Sequence, residues 1–169
     1  MADNEAPAQV ARIGLKRIGV ADFVRQDSLL RGCALLKELP PAVAERLLSA
    51  GVARRFQDGA SVFTQGDASQ SLFLVLAGEA CVQASRKGNS VDVATARKGD
   101  VFGEAEWVTR AELRAQSAVA RGGVDVAELP AAAVEEAARA APALAAWLRS
   151  LHASRQSAQD EMSDFLDRW

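Results

Sequence analysis

A chain of 169 residues has the length of one ordinary domain, and a chain of that length buries about two thirds of its unfolded surface without disulfides or metals. Its 20 basic and 22 acidic residues leave a net charge of −2, which excludes a global field that gathers nucleic acid or anionic lipid. Hydrophobic residues at 49% and charged residues at 25% give a globular balance; no apolar run reaches the roughly 18 residues of a membrane span, and the acidic start is unlike a signal peptide, so a soluble, cytoplasmic protein is expected. Cys33 and Cys81 are far apart and lack metal-ligand spacing, so both are expected as reduced, buried thiols. A single histidine, His152, argues against a His-ligated metal and against a His-based catalytic triad.

Residues 1–9 are polar and small and are expected to lack structure. The stretch from Val10 to Leu30 mixes apolar residues with Arg12, Lys16, Arg17 and Arg25, and Gly14 and Gly19 weaken any single long helix there; packing against the remainder of the chain or a partner is favoured over a membrane surface. Pro41 sits where a first helical turn tolerates it, and Val43, Leu47 and Leu48 form a helical stripe up to Gly51.

Nine of the 12 glycines lie between Gly51 and Gly123, and the five prolines avoid that zone. Short apolar or alternating runs separated by regular turn signals indicate an antiparallel barrel or sandwich. The expected strands are Val52–Phe56, Ser61–Phe63, Leu72–Leu76, Ala80–Ala84, Val91–Thr95, Ser117–Ala120 and Val124–Leu129. Beyond them, Pro130 opens an alanine-rich helix to about Ala140, and Pro142 opens another. From Leu144, positions 144, 148, 151, 155, 158, 162, 165 and 169 step by alternating 4 and 3, a heptad seam. At 1.5 Å per residue the seam runs about 40 Å, longer than a small barrel covers, so its far half is expected to pair with a second copy.

One stretch carries candidate chemistry: Gly99-Asp100-Val101-Phe102-Gly103-Glu104, with Arg114-Ala115 ten residues beyond the glutamate. A glycine-flanked turn allows close backbone approach to a ligand, and a short helical turn at Ala105–Val108 would offer free amides to an anion. Arg114 adds a planar, permanently charged fork, whereas Glu104 can only accept, which suits a hydroxyl. Together they suit a phosphorylated sugar; a glycine turn with a surface Arg–Glu pair is the plainer alternative on spacing alone.

Two motifs in order, GASVFTQGDASQSLFLVLAG from Gly59 to Gly78 and Phe102-Gly103-Glu104 with Arg114-Ala115, resemble the cyclic nucleotide-binding domain of the catabolite activator and protein kinase A regulatory subunits, over roughly residues 33 to 160. The resemblance implies a mainly β fold: an antiparallel β-roll (jelly-roll barrel) with an N-terminal helical segment and a two-helix C-terminal extension ending in a long helix. The chain is expected to divide into an N-terminal extension (1–32), a β-roll with flanking helices (33–141) and a C-terminal helix (142–169) whose heptad seam is expected to dimerise. The resemblance also implies that Glu104 bonds a ribose 2′-hydroxyl, that Arg114 and Ala115 hold a cyclic phosphate with help from Phe102, Gly103 and Ala105, and that Arg155 reaches back toward Glu104. The ligand implied is cAMP or another cyclic mononucleotide, with no metal.

Two departures stand against it. Glu106 and Trp107 replace a small residue and a leucine of the family pattern; Glu106 either points into solvent at the helix start or stands in for the phosphate. Gln159 and Asp160 replace the activator's base-reading pair. The chain ends at Trp169, and with no basic recognition helix it is not expected to read DNA. The expected function is a non-enzymatic sensor that moves its C-terminal helices and acts as a homodimer on a separate, unknown effector protein; the alternative is a degenerate, nucleotide-free dimeric scaffold.

Overall fold

The computed structural model describes residues 6–7 and 19–168. Helices α1 (Val20–Gln26), α2 (Ser28–Arg31), α3 (Ala34–Lys37) and α4 (Pro41–Ser49) precede the sheet zone, after a two-residue strand β1 (Ala6–Pro7). The sheet comprises β2 (Val52–Phe56), β3 (Ser61–Phe63), β4 (Ser71–Arg86), β5 (Asn89–Arg97), β6 (Val101–Phe102) and β7 (Ser117–Pro130), with α5 (Ala105–Thr109) between the last two. Helices α6 (Ala131–Ala140) and α7 (Pro142–Asp167) close the chain.

All strand pairs are antiparallel. The path is β1-β2-β7-β4-β5, with β3 on β7 and β6 on β4, so the roll is an open path of strands rather than a closed ring. This is the mainly β, helix-flanked architecture expected of the sequence. Where four separate strands were expected, however, two long bent ones run: β4 continues through Gly78 and β7 through Gly122 and Gly123. Both bend at their glycines. Gly78 has φ 77°, a region that side chains resist, and a Cβ there would lie 2.2 Å from the Gly123 carbonyl oxygen. The register of β4 against β7 shifts on both sides of this point, so glycines that read as strand ends are bulges that fold the sheet over.

The bent sheet has two hydrophobic interiors. Phe56, Phe63, Phe73, Val75, Phe102 and Val126 fill the roll. Leu72, Leu74, Leu76 and Leu129, pointing the other way on the same strands as period-2 alternation requires, meet the helices. Val20, Phe23, Val24 and Leu30 of the N-terminal stretch belong to this second cluster, which settles its packing from Val20 onward; residues 10–18 lie outside the described residues, as do 1–5 and 8–9. Ala6–Pro7, within the stretch expected to lack structure, pairs with β2 at Arg54 and Arg55. Cys33 and Cys81 are buried free thiols. No helix among the described residues is long and apolar enough to cross a membrane.

Helix α7 departs from the expected seam. Leu144 and Leu148 are fully buried in the chain's own core, and the far half lies along the β4–β5 hairpin instead of projecting past it. Arg86 of β4 donates to the Ser163 carbonyl at 3.3 Å and pairs with Asp167, and Met162 and Leu166 line a small cleft with Ala84 and Val91. The reason is strand length: with 16 residues in β4 and 9 in β5, the hairpin reaches as far as the helix does. Of the seam, Phe165 remains 62% exposed, and Trp169 lies outside the described residues.

Candidate functional site

A cavity of about 340 Å³ opens between the roll, α5 and α7. Its floor and walls come from β4 and β5 (Val82, Ala84, Val93), its rim from the turn Gly103-Glu104-Ala105-Glu106, and its roof from α7. His152, Arg155, Gln156 and Gln159 face it together, as residues spaced three and four apart on one helix must. This stripe of α7 shares Arg155 with the seam, at the position where a charge interrupts it, and otherwise runs beside it.

Gly103 shapes the rim. Its φ is 79°, and a Cβ there would meet Arg114 Nη1 at 3.0 Å and the rings of Phe73 and Phe63 at 3.2 and 3.4 Å. Only glycine lets the backbone come this close to the guanidinium. Arg114, 3% exposed, lies behind the rim. Its Nη1 donates to the Gly103 carbonyl at 2.9 Å and to Glu106 Oε1 at 3.1 Å, and its Nη2 donates to the Ser71 carbonyl at 2.6 Å. The group stacks 4.1 Å over the Phe63 ring, where an aromatic face attracts a cation. Its Nε–H is buried without a hydrogen-bond partner.

Glu104 is 4% exposed. Its Oε2 accepts from Arg155 Nη1 at 2.8 Å, and Arg155 Nη2 donates to the Val101 carbonyl at 2.7 Å. The expected reach of Arg155 across to Glu104 is therefore a bond in the structure, joining the turn to α7. Gly103, Glu104, Ala105, Ala115 and Arg155 line one cavity. Phe102 does not: it is fully buried and stacks on Phe73 at 5.2 Å between ring centroids, supporting the turn from below.

Glu106 corrects one of the two alternatives. It is 6% exposed and bonded to Arg114, so it does not point into solvent. Burial raises its carboxyl above the ordinary value of 4.5, against the opposing pull of Arg114. Trp107 beside it is 8% exposed in the helix-side core; the Arg110 guanidinium stands 4.8 Å from its ring and pairs with Glu135 of α6. Gln116 Nε2 donates to Gln159 Oε1 at 2.7 Å, a second tie from the roll to α7. His152, Gln116 and Gln156 were not anticipated as cavity residues; the i, i+3, i+4, i+7 series from His152 to Gln159 was the available signal.

The family model for the cyclic nucleotide-binding domain matches residues 53–140, more than half of the chain. The chain belongs to that family. The cAMP-dependent protein kinase regulatory subunit of Neurospora crassa is 34% identical over 103 residues, 61% of this chain and 26% of the relative. That of Yarrowia lipolytica is 35% identical over 78 residues, 46% of this chain and 20% of the relative. The chain thus spans about a quarter of these relatives' length. Among solved structures, the catabolite activator protein of Thermus thermophilus superposes with a TM-score of 0.66 and 28% identity, covering 79% of this chain and 62% of that one. The regulatory subunit of a cAMP-independent protein kinase A from Trypanosoma brucei superposes with a TM-score of 0.72 at 22% identity, covering 87% of this chain and 52% of that one; at that identity the likeness is one of fold. The cyclic nucleotide-binding domain here carries its matched zone from β2 through α6, with Glu104, Glu106 and Arg114 all inside it.

Proposed function

We propose that the chain is a sensory module that binds a cyclic mononucleotide, cAMP first among them, in the cavity beneath α7, and passes the occupancy of that cavity to a separate protein through the position of α7. Glu104 accepts the ribose hydroxyl, Arg114 and the amide of Ala115 take the phosphate with the Gly103-Glu104-Ala105 turn, and no bond is made or broken in the ligand. The observation that carries the reading is the Arg155–Glu104 bond: the acceptor for the ligand is also the anchor of the helix. A ligand hydroxyl donating to Glu104 alters the partner of Arg155, and binding biases α7 by its differential affinity for the two helix arrangements. The cavity volume falls within the range of small-molecule sites.

A second reading, a scaffold of this fold that takes no nucleotide, is favoured by the Glu106–Arg114 bond, because the cation already has an anion. Calorimetry of the nucleotide-stripped protein with cAMP, cGMP and cCMP separates the two. The sensor reading expects saturable heat with at least one of them and its loss in Glu104→Ala, by about 1.5–3 kcal/mol of binding for a bond to a charged acceptor. Absence of heat for all three at millimolar ligand establishes the scaffold.

A further inference from the structure

Both guanidiniums at the cavity, Arg155 on its wall and Arg114 buried behind its rim, are already matched. Arg114 holds the Glu106 carboxylate and two backbone carbonyls; Arg155 holds Glu104 and a third carbonyl. Glu104 and Glu106 stand two residues apart on one turn and line the same cavity, so a ligand phosphate reaching Arg114 brings a further negative charge to a buried site that already holds two. Like charges that share such a site cannot all stay ionised, and one guanidinium in low dielectric does not balance a carboxylate and a phosphate together.

Resting on the cyclic nucleotide reading, we propose that Glu106 is the resident occupant of the phosphate position on Arg114, and that a phosphate-bearing ligand binds by exchange, Glu106 giving up its place on the guanidinium and taking up one proton from solvent. The exchange is balanced in bonds. Arg114 Nη1 trades a carboxylate oxygen for a phosphate oxygen and keeps its bond to the Gly103 carbonyl. The displaced carboxyl stays in the buried rim beside Glu104 and the bound anion, an environment that favours its neutral form. Its raised starting value in the free protein, caused by burial, lies in the same direction. The groups facing Glu106 are Glu104 on its own turn, Arg114 from the segment before β7, and His152 and Arg155 from α7, which line the same cavity; Arg110 is turned onto Trp107.

The sign follows from linkage: a group that binds protons more tightly in the complex makes affinity rise as pH falls. The same cost reduces what the phosphate contributes relative to a ligand with the same base and ribose and no phosphate.

The test is calorimetry of the full chain and of Glu106→Gln with cAMP and with adenosine, between about pH 8 and about pH 5 and in two buffers of different ionisation heat. The expected results are these. Wild type binds cAMP more tightly as pH falls, with a heat that depends on the buffer and reports proton uptake. Glu106→Gln binds cAMP on the order of tenfold more tightly at the alkaline end and no longer shows the pH dependence. Adenosine affinity is the same for both proteins. Equal or weaker cAMP binding by Glu106→Gln at the alkaline end overturns the inference, as does a pH dependence that survives the substitution. Should the variant not fold, a wild-type cAMP heat that is independent of buffer overturns it alone. Failure of cAMP to bind either protein removes the cyclic nucleotide reading itself, a different outcome from any of these.

Discussion

Arg114 and Glu106 are 3% and 6% exposed and bonded to each other at 3.1 Å, a buried ion pair placed by three separate pieces of chain. Such a pair adds little net stability compared with a well-packed apolar pair, yet removing one partner strands a charge in low dielectric. Arg114→Leu is therefore expected to lower the stability of the ligand-free protein by about 3 kcal/mol, measured as a denaturant midpoint, and Glu106→Gln in the same chain to recover part of the loss. An unchanged midpoint for Arg114→Leu would mean that Glu106 finds another partner or becomes protonated without cost. Glu104 and Arg114 were legible as a motif that resembles the family's cassette, and Arg155 only through that resemblance, since spacing alone left a surface Arg–Glu pair as the plainer reading. The partner of Glu106 was not legible. Helix α5 has five residues, too few for a periodic pattern to say which face is inward, so both orientations of Glu106 were open until Arg114 was placed behind the rim.

Among the elements, the bent strands were the least visible. Glycine is the usual mark of a turn, and Gly78, Gly122 and Gly123 were read as breaks between strands. They instead let β4 and β7 stay paired through a fold in the sheet, because the Gly78 Cα approaches the Gly123 carbonyl too closely for a side chain. Gly78→Ala would meet backbone at 2.2 Å and force a strained φ, so a loss of at least about 2 kcal/mol is expected, read from thermal melting. Gly88→Ala serves as the control, since a Cβ there meets nothing within 4 Å and only its positive φ is penalised. Equal losses for the two would show that the close approach contributes nothing. Helices α4, α6 and α7 were legible because proline starts and apolar stripes agree at their ends, whereas β1 and β6, of two residues each, carry no pattern that a sequence could display.

At the scale of the whole molecule, α7 runs past three parts of the fold and is fastened to each. Its first turns, through Leu144 and Leu148, belong to the helix-side core. Its middle, through Arg155, is tied to the Glu104 rim, and its end, through Arg86, is tied to the β4–β5 hairpin. The heptad period in its sequence is satisfied in its first half by the chain's own core, which leaves Phe165 and Leu166 as the exposed apolar residues at its far end. The helix is held at three points, and the middle one sits on the candidate ligand acceptor, so the proposed sensor would transmit occupancy through it. Hydrogen exchange with and without saturating cAMP tests this most directly. The account predicts slower exchange in α5 and altered exchange along α7 from Arg155 to Asp167, with β2 and the helix-side core unchanged; exchange in α7 that is identical with and without bound cAMP would contradict it.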